Sequence, residues 1–257
     1  MCLECGCSEP DSITIDGKPI VKIPSYSHQI DGQEGQDAAR EISIKRDILQ
    51  KNNTVAQHNR EHLQKHRVFC MNWISAPGSG KTALLEKLIT LYGADVPMFV
   101  IEGDQQTAND ANRIRQAGAK ALQINTGATC HLDAEMVHSA LHQVDLDEVK
   151  LLVIENVGNM VCPTAYDLGE MMKVAVISCP EGDDKPIKYP DLLLTSQVLL
   201  INKTDLIPYL DFSLDRCIEL TKKVNPAIKV FPVSAKTGEG MAEFFEWISS
   251  NINQNLL

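Results

Sequence analysis

The sequence predicts an α/β fold, a mostly parallel central sheet flanked by helices, and three observations carry that prediction. A glycine-rich loop, Ser75-Ala76-Pro77-Gly78-Ser79-Gly80-Lys81-Thr82, stands between an apolar run of strand length at 68–74 and a segment with Leu84, Leu85 and Leu88 on one helical face. Residues 151–154 read Leu-Leu-Val-Ile, the unbroken apolar pattern of a strand buried on both faces. Further strand-like runs fall at 98–101, 121–124, 173–178, 197–201 and 228–231, with helical patterns at 133–143 and 241–252.

Bulk properties narrow the function. A chain of 257 residues suits one large domain or one domain with an appended segment. A net charge of −10 argues against nucleic acid or an anionic membrane as the main partner. No apolar run approaches the roughly 18 residues of a membrane span. The first residues lack the basic and apolar regions of a signal peptide, so a cytoplasmic location is expected. In that reducing setting the eight cysteines point to metal binding or reactivity before disulfides.

In chain order, residues 1–36 are expected to form a flexible tail, with few periodic apolar positions up to about residue 40. Cys2, Cys5 and Cys7 form a C-x-x-C-G-C cluster within it, three thiols able to converge on one soft or borderline metal ion. Residues 37–66 read as helix and open the main domain, 37–257. His58, His62 and His66 recur on one face of that helix, a metal ladder or, as we read it, a polar face.

In the glycine-rich loop, Pro77, Gly78, Ser79 and Gly80 wrap the phosphates, and the last three turn their backbone N–H groups inward. Lys81 neutralises the β- and γ-phosphates, and the Thr82 hydroxyl holds Mg²⁺. The general motif has glycine where this chain has Ser75. Asp104 follows the 98–101 strand and stands either to approach Mg²⁺ or to cap the next helix. Cys130 and His131 are adjacent in a strand-end loop, a weak metal signal by themselves. His138 and His142 in the following helix are expected to face solvent. Glu155, at the end of the 151–154 strand, reaches Mg²⁺ through water, and the Gly158 N–H meets the γ-phosphate. Cys162 follows four residues later, so a metal ligand there would move with a phosphate-sensing loop.

The motif Asn202-Lys203-Thr204-Asp205 selects guanine. An acceptor-only carboxylate at Asp205 satisfies the two adjacent donors that guanine presents and adenine lacks. Asn202 braces the loops, and the Lys203 stem covers the base. The triplet Ser234-Ala235-Lys236 offers the Ala235 N–H to the guanine O6. Cys70, Cys179 and Cys217 are expected in the core.

The ordered set S-A-P-G-S-G-K-T, E-G-D, T-G-A-T-C-H-L-D-A, E-N-V-G-N-M-V-C-P, N-K-T-D and S-A-K-T-G resembles the HypB-type nickel-incorporation GTPases of hydrogenase maturation, over roughly residues 37–257. The resemblance implies a P-loop NTPase fold of the signal-recognition and MinD-like class. It implies GTP hydrolysis to GDP and phosphate, GTP-promoted dimerisation, and nickel delivery to a hydrogenase large-subunit precursor beside a HypA-type metallochaperone. By the same resemblance Cys130, His131 and Cys162 form a nickel or zinc site near the dimer interface, Cys2, Cys5 and Cys7 bind nickel, and Asp104 and Glu155 lie around Mg²⁺. Only His28 lies within 8–40, which speaks against bulk nickel storage. Two other readings stand beside this one: a storage or sensor module whose nucleotide site only controls dimerisation, and a GTPase serving urease or a cobalamin enzyme.

Overall fold

The computed structural model describes residues 13–21, 34–105 and 109–255. Nine strands form one sheet: β1 (Ile13–Ile15), β2 (Lys18–Val21), β3 (Phe69–Ser75), β4 (Met98–Asp104), β5 (Lys120–Asn125), β6 (Leu151–Glu155), β7 (Met172–Ser178), β8 (Val198–Asn202) and β9 (Lys229–Pro232). Their order across the sheet is β2-β1-β5-β4-β6-β3-β7-β8-β9. From β5 through β9 every pairing is parallel. The chain reverses its direction of travel across the sheet at β3, with β4 and β5 on one side and β7, β8 and β9 on the other. A crevice opens at such a switch point beyond the carboxyl ends of the strands.

The helices are α1 (Glu34–Lys65), α2 (Lys81–Tyr92), α3 (Asn109–Ala117), α4 (Ala134–Leu141), the short α5 (Lys185–Lys188) and α6 (Pro190–Thr195), α7 (Leu214–Val224) and α8 (Met241–Asn255). Alternation along the strands sends side chains to both faces. Met71 and Trp73 of β3 pack with Val153, Leu84 and Leu88 of α2, and Phe244 and Ile248 of α8. Cys70 points the other way, into a core with Ile101, Leu152, Leu63 of α1, and Val137 and Ala140 of α4. A third cluster sets Cys179 and Cys217 among Ile177, Leu199, Ile201 and Leu192. Each fully buried leucine here contributes about 1.5–3 kcal/mol. Cys70, Cys179 and Cys217 are thus core residues, and burial raises the thiol pKa of each, that of Cys179 to about 11 and of Cys217 to about 12.

Two expectations change. Helix α1 begins at Glu34, three residues before the predicted start. Within the stretch read as lacking regular structure, β1 and β2 form a hairpin that pairs antiparallel with β5. Asp16 and Gly17 make its two-residue turn at φ 44° and 78°. Asp-Gly between alternating residues is the sequence that this turn favours. The Asp16 carboxylate then accepts from Gln123 N (3.1 Å) and Arg115 (3.1 Å), tying the turn to β5 and α3. Cys2, Cys5 and Cys7 lie outside the described residues.

Helix α1 is locked onto the domain by two asparagines. Asn59, fully buried, donates from Nδ2 to the carbonyls of Ala134 (2.9 Å) and Leu168 (3.1 Å). Asn52 donates to the Asp167 carbonyl (2.7 Å) and accepts from Ala134 N (2.9 Å). No described helix is long and apolar enough to cross a membrane.

Candidate functional site

The glycine-rich loop leaves β3 and enters α2 at Gly80, which sits at φ 93°. That conformation costs a glycine nothing, and a Cβ at Gly80 would stand 2.5 Å from Asn202 Nδ2. The close approach is used: Asn202 donates to the Ser79 carbonyl (2.9 Å) and accepts from Ala235 N (3.1 Å). One buried carboxamide therefore fastens the phosphate loop to the β9 loop. Lys203, itself left-handed at φ 64°, extends its ammonium to the Gly78 carbonyl (2.7 Å). Ser234 donates to Asp205 (2.6 Å), fixing that carboxylate. Gly80, Lys87, Asn202, Lys203, Asp205 and Ala235 help line a groove of about 530 Å³, a size typical of small-molecule sites. Lys236 also lines it. The Ala235 N–H, expected to face a base, is held by Asn202 in this structure, so it braces the loop.

At the other end, β3 and β6 run side by side with Trp73 opposite Glu155. Thr82 donates to Glu155 Oε1 (2.8 Å), while Lys81, almost wholly buried, donates to Ser75 (2.9 Å). The serine that replaces the motif glycine is therefore a partner of the phosphate-loop lysine. Burial pushes the Glu155 carboxyl up to about 7, against the pull of Lys81 and the Thr82 hydrogen bond.

The acidic residue opposite Glu155 is Glu102, which the sequence reading passed over in favour of Asp104. Glu102 and Asp104 share a face of β4 by strand alternation. Glu102 is the buried one, and its carboxyl rises to about 9 through burial first, then through Glu155 and Asp104. Asp104 lies one step further along, partly exposed, and accepts from Gln105 N (2.7 Å). Glu102 Oε2 and Glu155 Oε2 are both buried without a hydrogen-bond partner.

Buried carboxylate oxygens without donors are costly unless a cation meets them. Oxygen ligands and two nearby acids are what Mg²⁺ takes, so Glu155, Thr82 and Glu102 form a donor set that fits the ion this loop class uses.

A further carboxylate enters from a segment that sequence reasoning did not use. Glu181 Oε1 accepts from Ser79 Oγ (2.7 Å), Ser178 N (2.9 Å) and Ser178 Oγ (2.8 Å). It ties the end of β7 to the phosphate loop. Its only sequence signal was its position just past a predicted strand.

Cys130, His131 and Cys162 come together from two loops, their ligand atoms all within 4.8 Å of one another. His131 is buried, stacks on Tyr166 at 4.0 Å between ring centroids, and has its pKa lowered to about 4 by burial. It is neutral at physiological pH and offers a lone pair. Two sulfurs and one imidazole suit a borderline ion such as zinc or nickel.

The two loops also touch through residues that the motif reading left without a role. Asn156 accepts from Leu132 N (3.1 Å), the residue after His131, and from Val157 N (3.0 Å). Asn159 donates to the Cys130 carbonyl (3.4 Å). On the phosphate side, a Cβ at Gly158 would stand 3.2 Å from Pro77 Cα. The eight residues 155–162 thus run from the Thr82 partner, past the phosphate loop, to a metal-type thiol.

The histidines also differ from expectation. His138 is half-buried and bonds Asn59 Oδ1 (2.9 Å) instead of facing solvent, while His142 is exposed. His58 is exposed as the polar-face reading expects, whereas His62 and His66 are half-buried.

Comparison with known proteins locates this architecture. The CobW/HypB/UreG nucleotide-binding domain matches residues 71–232. The chain is 52% identical to a hydrogenase maturation factor HypB of Azotobacter chroococcum mcd 1, over 83% of this chain and 70% of that one. It is 40% identical to the hydrogenase maturation factor HypB of Escherichia coli K12, over 97% and 99% of the two chains. A crystal structure of HypB from Helicobacter pylori in complex with nickel superimposes with a TM-score of 0.77 at 36% identity, covering 80% of this chain and 97% of that one.

Proposed function

The chain belongs to the HypB family of hydrogenase maturation factors, and from that membership we propose that it is a GTP-hydrolysing nickel chaperone whose nucleotide state sets its hold on the metal. Asp205 reads the guanine edge, with Lys203 over the base and Asn202 and Ser234 keeping the loops in register. The backbone of 77–80 cradles the phosphates at the start of α2, and Lys81 leaves Ser75 to meet the terminal phosphates. Mg²⁺, when held by Thr82 and Glu155 with Glu102 and Asp104 beside them, supplies charge neutralisation at the transferred phosphoryl group. The protein stabilises charge as water attacks, and no described side chain stands out as a general base, which suits slow turnover.

The observation that carries the coupling is the contact between the 155–162 segment and the Cys130–His131 loop through Asn156 and Asn159. When the γ-phosphate departs, the Gly158 region relaxes against Pro77, Cys162 shifts, and the metal shared with Cys130 and His131 loosens. Two copies meet in the GTP state, and nickel passes from the terminal cysteines Cys2, Cys5 and Cys7 or a HypA-type donor towards the hydrogenase precursor. Zinc is a competing occupant of the Cys130, His131 and Cys162 site. In this reading 1–36 is the metal-collecting segment and 37–257 the GTPase domain.

Steady-state phosphate release from GTP tests the enzyme. Release above background that disappears in Lys81→Ala is expected. GTP binding without release would favour a module in which nucleotide only controls dimerisation.

A further inference from the structure

Four histidines that the sequence scatters over two helices meet where α1 packs against α4. Ring centroids of His62 and His66 are 5.1 Å apart, those of His62 and His142 5.8 Å, and those of His138 and His142 4.6 Å. The Nε2 atoms of His138 and His142 stand 3.1 Å apart. Two imidazoles bound to one ion at about 2.0–2.1 Å, at angles of about 90–110°, place their nitrogens about 2.8–3.4 Å apart. The pair is spaced i, i+4, the separation at which two helical histidines share a metal.

Second partners fix the tautomers. Asn59 gives its Nδ2 protons to Ala134 and Leu168, so its Oδ1 accepts, and His138 Nδ1 must carry the proton. That leaves the lone pair on His138 Nε2, facing His142. Asp147 holds His66 Nδ1 at 2.7 Å, with the His66 ring against that of His62.

We propose that His138 and His142, with His62 beside them, form a binding site for a borderline divalent ion, Ni²⁺ or Zn²⁺, distinct from the Cys130, His131 and Cys162 cluster. Neutral imidazoles suit such ions. His62 is held towards its neutral form by burial and by its three histidine neighbours. Lys65 opposes added positive charge, and the Asp147 carboxylate offsets it. The two metal-type clusters lie towards opposite ends of α4. From Ala134 to His142 the rise is about 12 Å, so one ion does not serve both. This site stands whether or not the chain hydrolyses GTP.

The test is a Ni²⁺ titration of the full chain, counting bound equivalents by equilibrium dialysis and following thiolate-to-nickel absorbance. The wild-type chain should bind one equivalent that adds no thiolate absorbance. His142→Ala, at an exposed position that folding tolerates, should weaken that equivalent at least tenfold and leave the thiolate band unchanged. A nickel curve unchanged in His142→Ala, or a wild-type chain whose every bound nickel carries thiolate absorbance, overturns the proposal.

Discussion

At the base end of the groove, Asn202, Lys203, Ser234 and Asp205 direct their polar atoms at one another and at the phosphate loop. At the charge end, Glu102 and Glu155 each keep a buried oxygen with no hydrogen-bond partner, and burial raises both carboxyls. The first region is braced by its own hydrogen bonds, so its contribution is selectivity at little reorganisation. The second holds desolvated acid that a cation relieves, so its geometry depends on what is bound. A switch needs both: a fixed grip on the base, and an end whose energy changes with nucleotide and metal.

The largest test of the contrast lies at the base end. Asp205→Ala should reduce the preference for GTP over ATP by about 10⁴, since sites built around a buried polar pair discriminate on that scale. Competition with fluorescent nucleotide measures it, and a preference reduced less than tenfold would mean that another group reads the base. At the charge end, Glu155→Gln should lower GTP hydrolysis by about 10²–10³, while the nucleotide-free protein melts at a higher temperature because a buried charge is gone.

The pH dependence sharpens the same point. Both carboxyls bind protons more tightly in the folded state than at their ordinary pKa of 4.5. The stability this gives is fully present below about pH 4.5. It is lost as pH rises, through about 7 for Glu155 and about 9 for Glu102. Melting of metal-free, nucleotide-free protein should therefore fall across this window, by a few °C for a domain of this size. Glu102→Gln should flatten the alkaline part. The smallest effect is expected from Ser234→Ala, which removes one donor to Asp205 and should cost about 1 kcal/mol of GTP affinity. A larger loss would show that the base end depends on this single bond.

How much could be read in advance follows from range. The phosphate loop, the buried strands and the guanine motif are contiguous, and each carries its chemistry in local spacing. The hairpin was equally local: Asp16-Gly17 between alternating residues signals it, but the surrounding glycines and prolines read as unstructured. Glu102 was hidden by a choice between two acids on one strand face, which only the pairing with Glu155 decides. Cys130, His131 and Cys162 were joined by resemblance, their separation being too long for spacing to argue. The histidine cluster needs the docking of α1 on α4, and that depends on Asn59, a polar residue whose burial no periodicity announces.

The central claim is that one segment, from Glu155 to Cys162, belongs to both the phosphate site and the metal site. Its most direct test is nickel affinity by chelator competition with a non-hydrolysable GTP analogue or GDP bound, in a Cys2/Cys5/Cys7→Ala variant that leaves the Cys130, His131 and Cys162 site to be measured. The account predicts tighter nickel in the GTP-like state, by about 5–150-fold for a coupling of ordinary size, with Asn156→Ala narrowing the gap. Equal affinities in the two nucleotide states would contradict it.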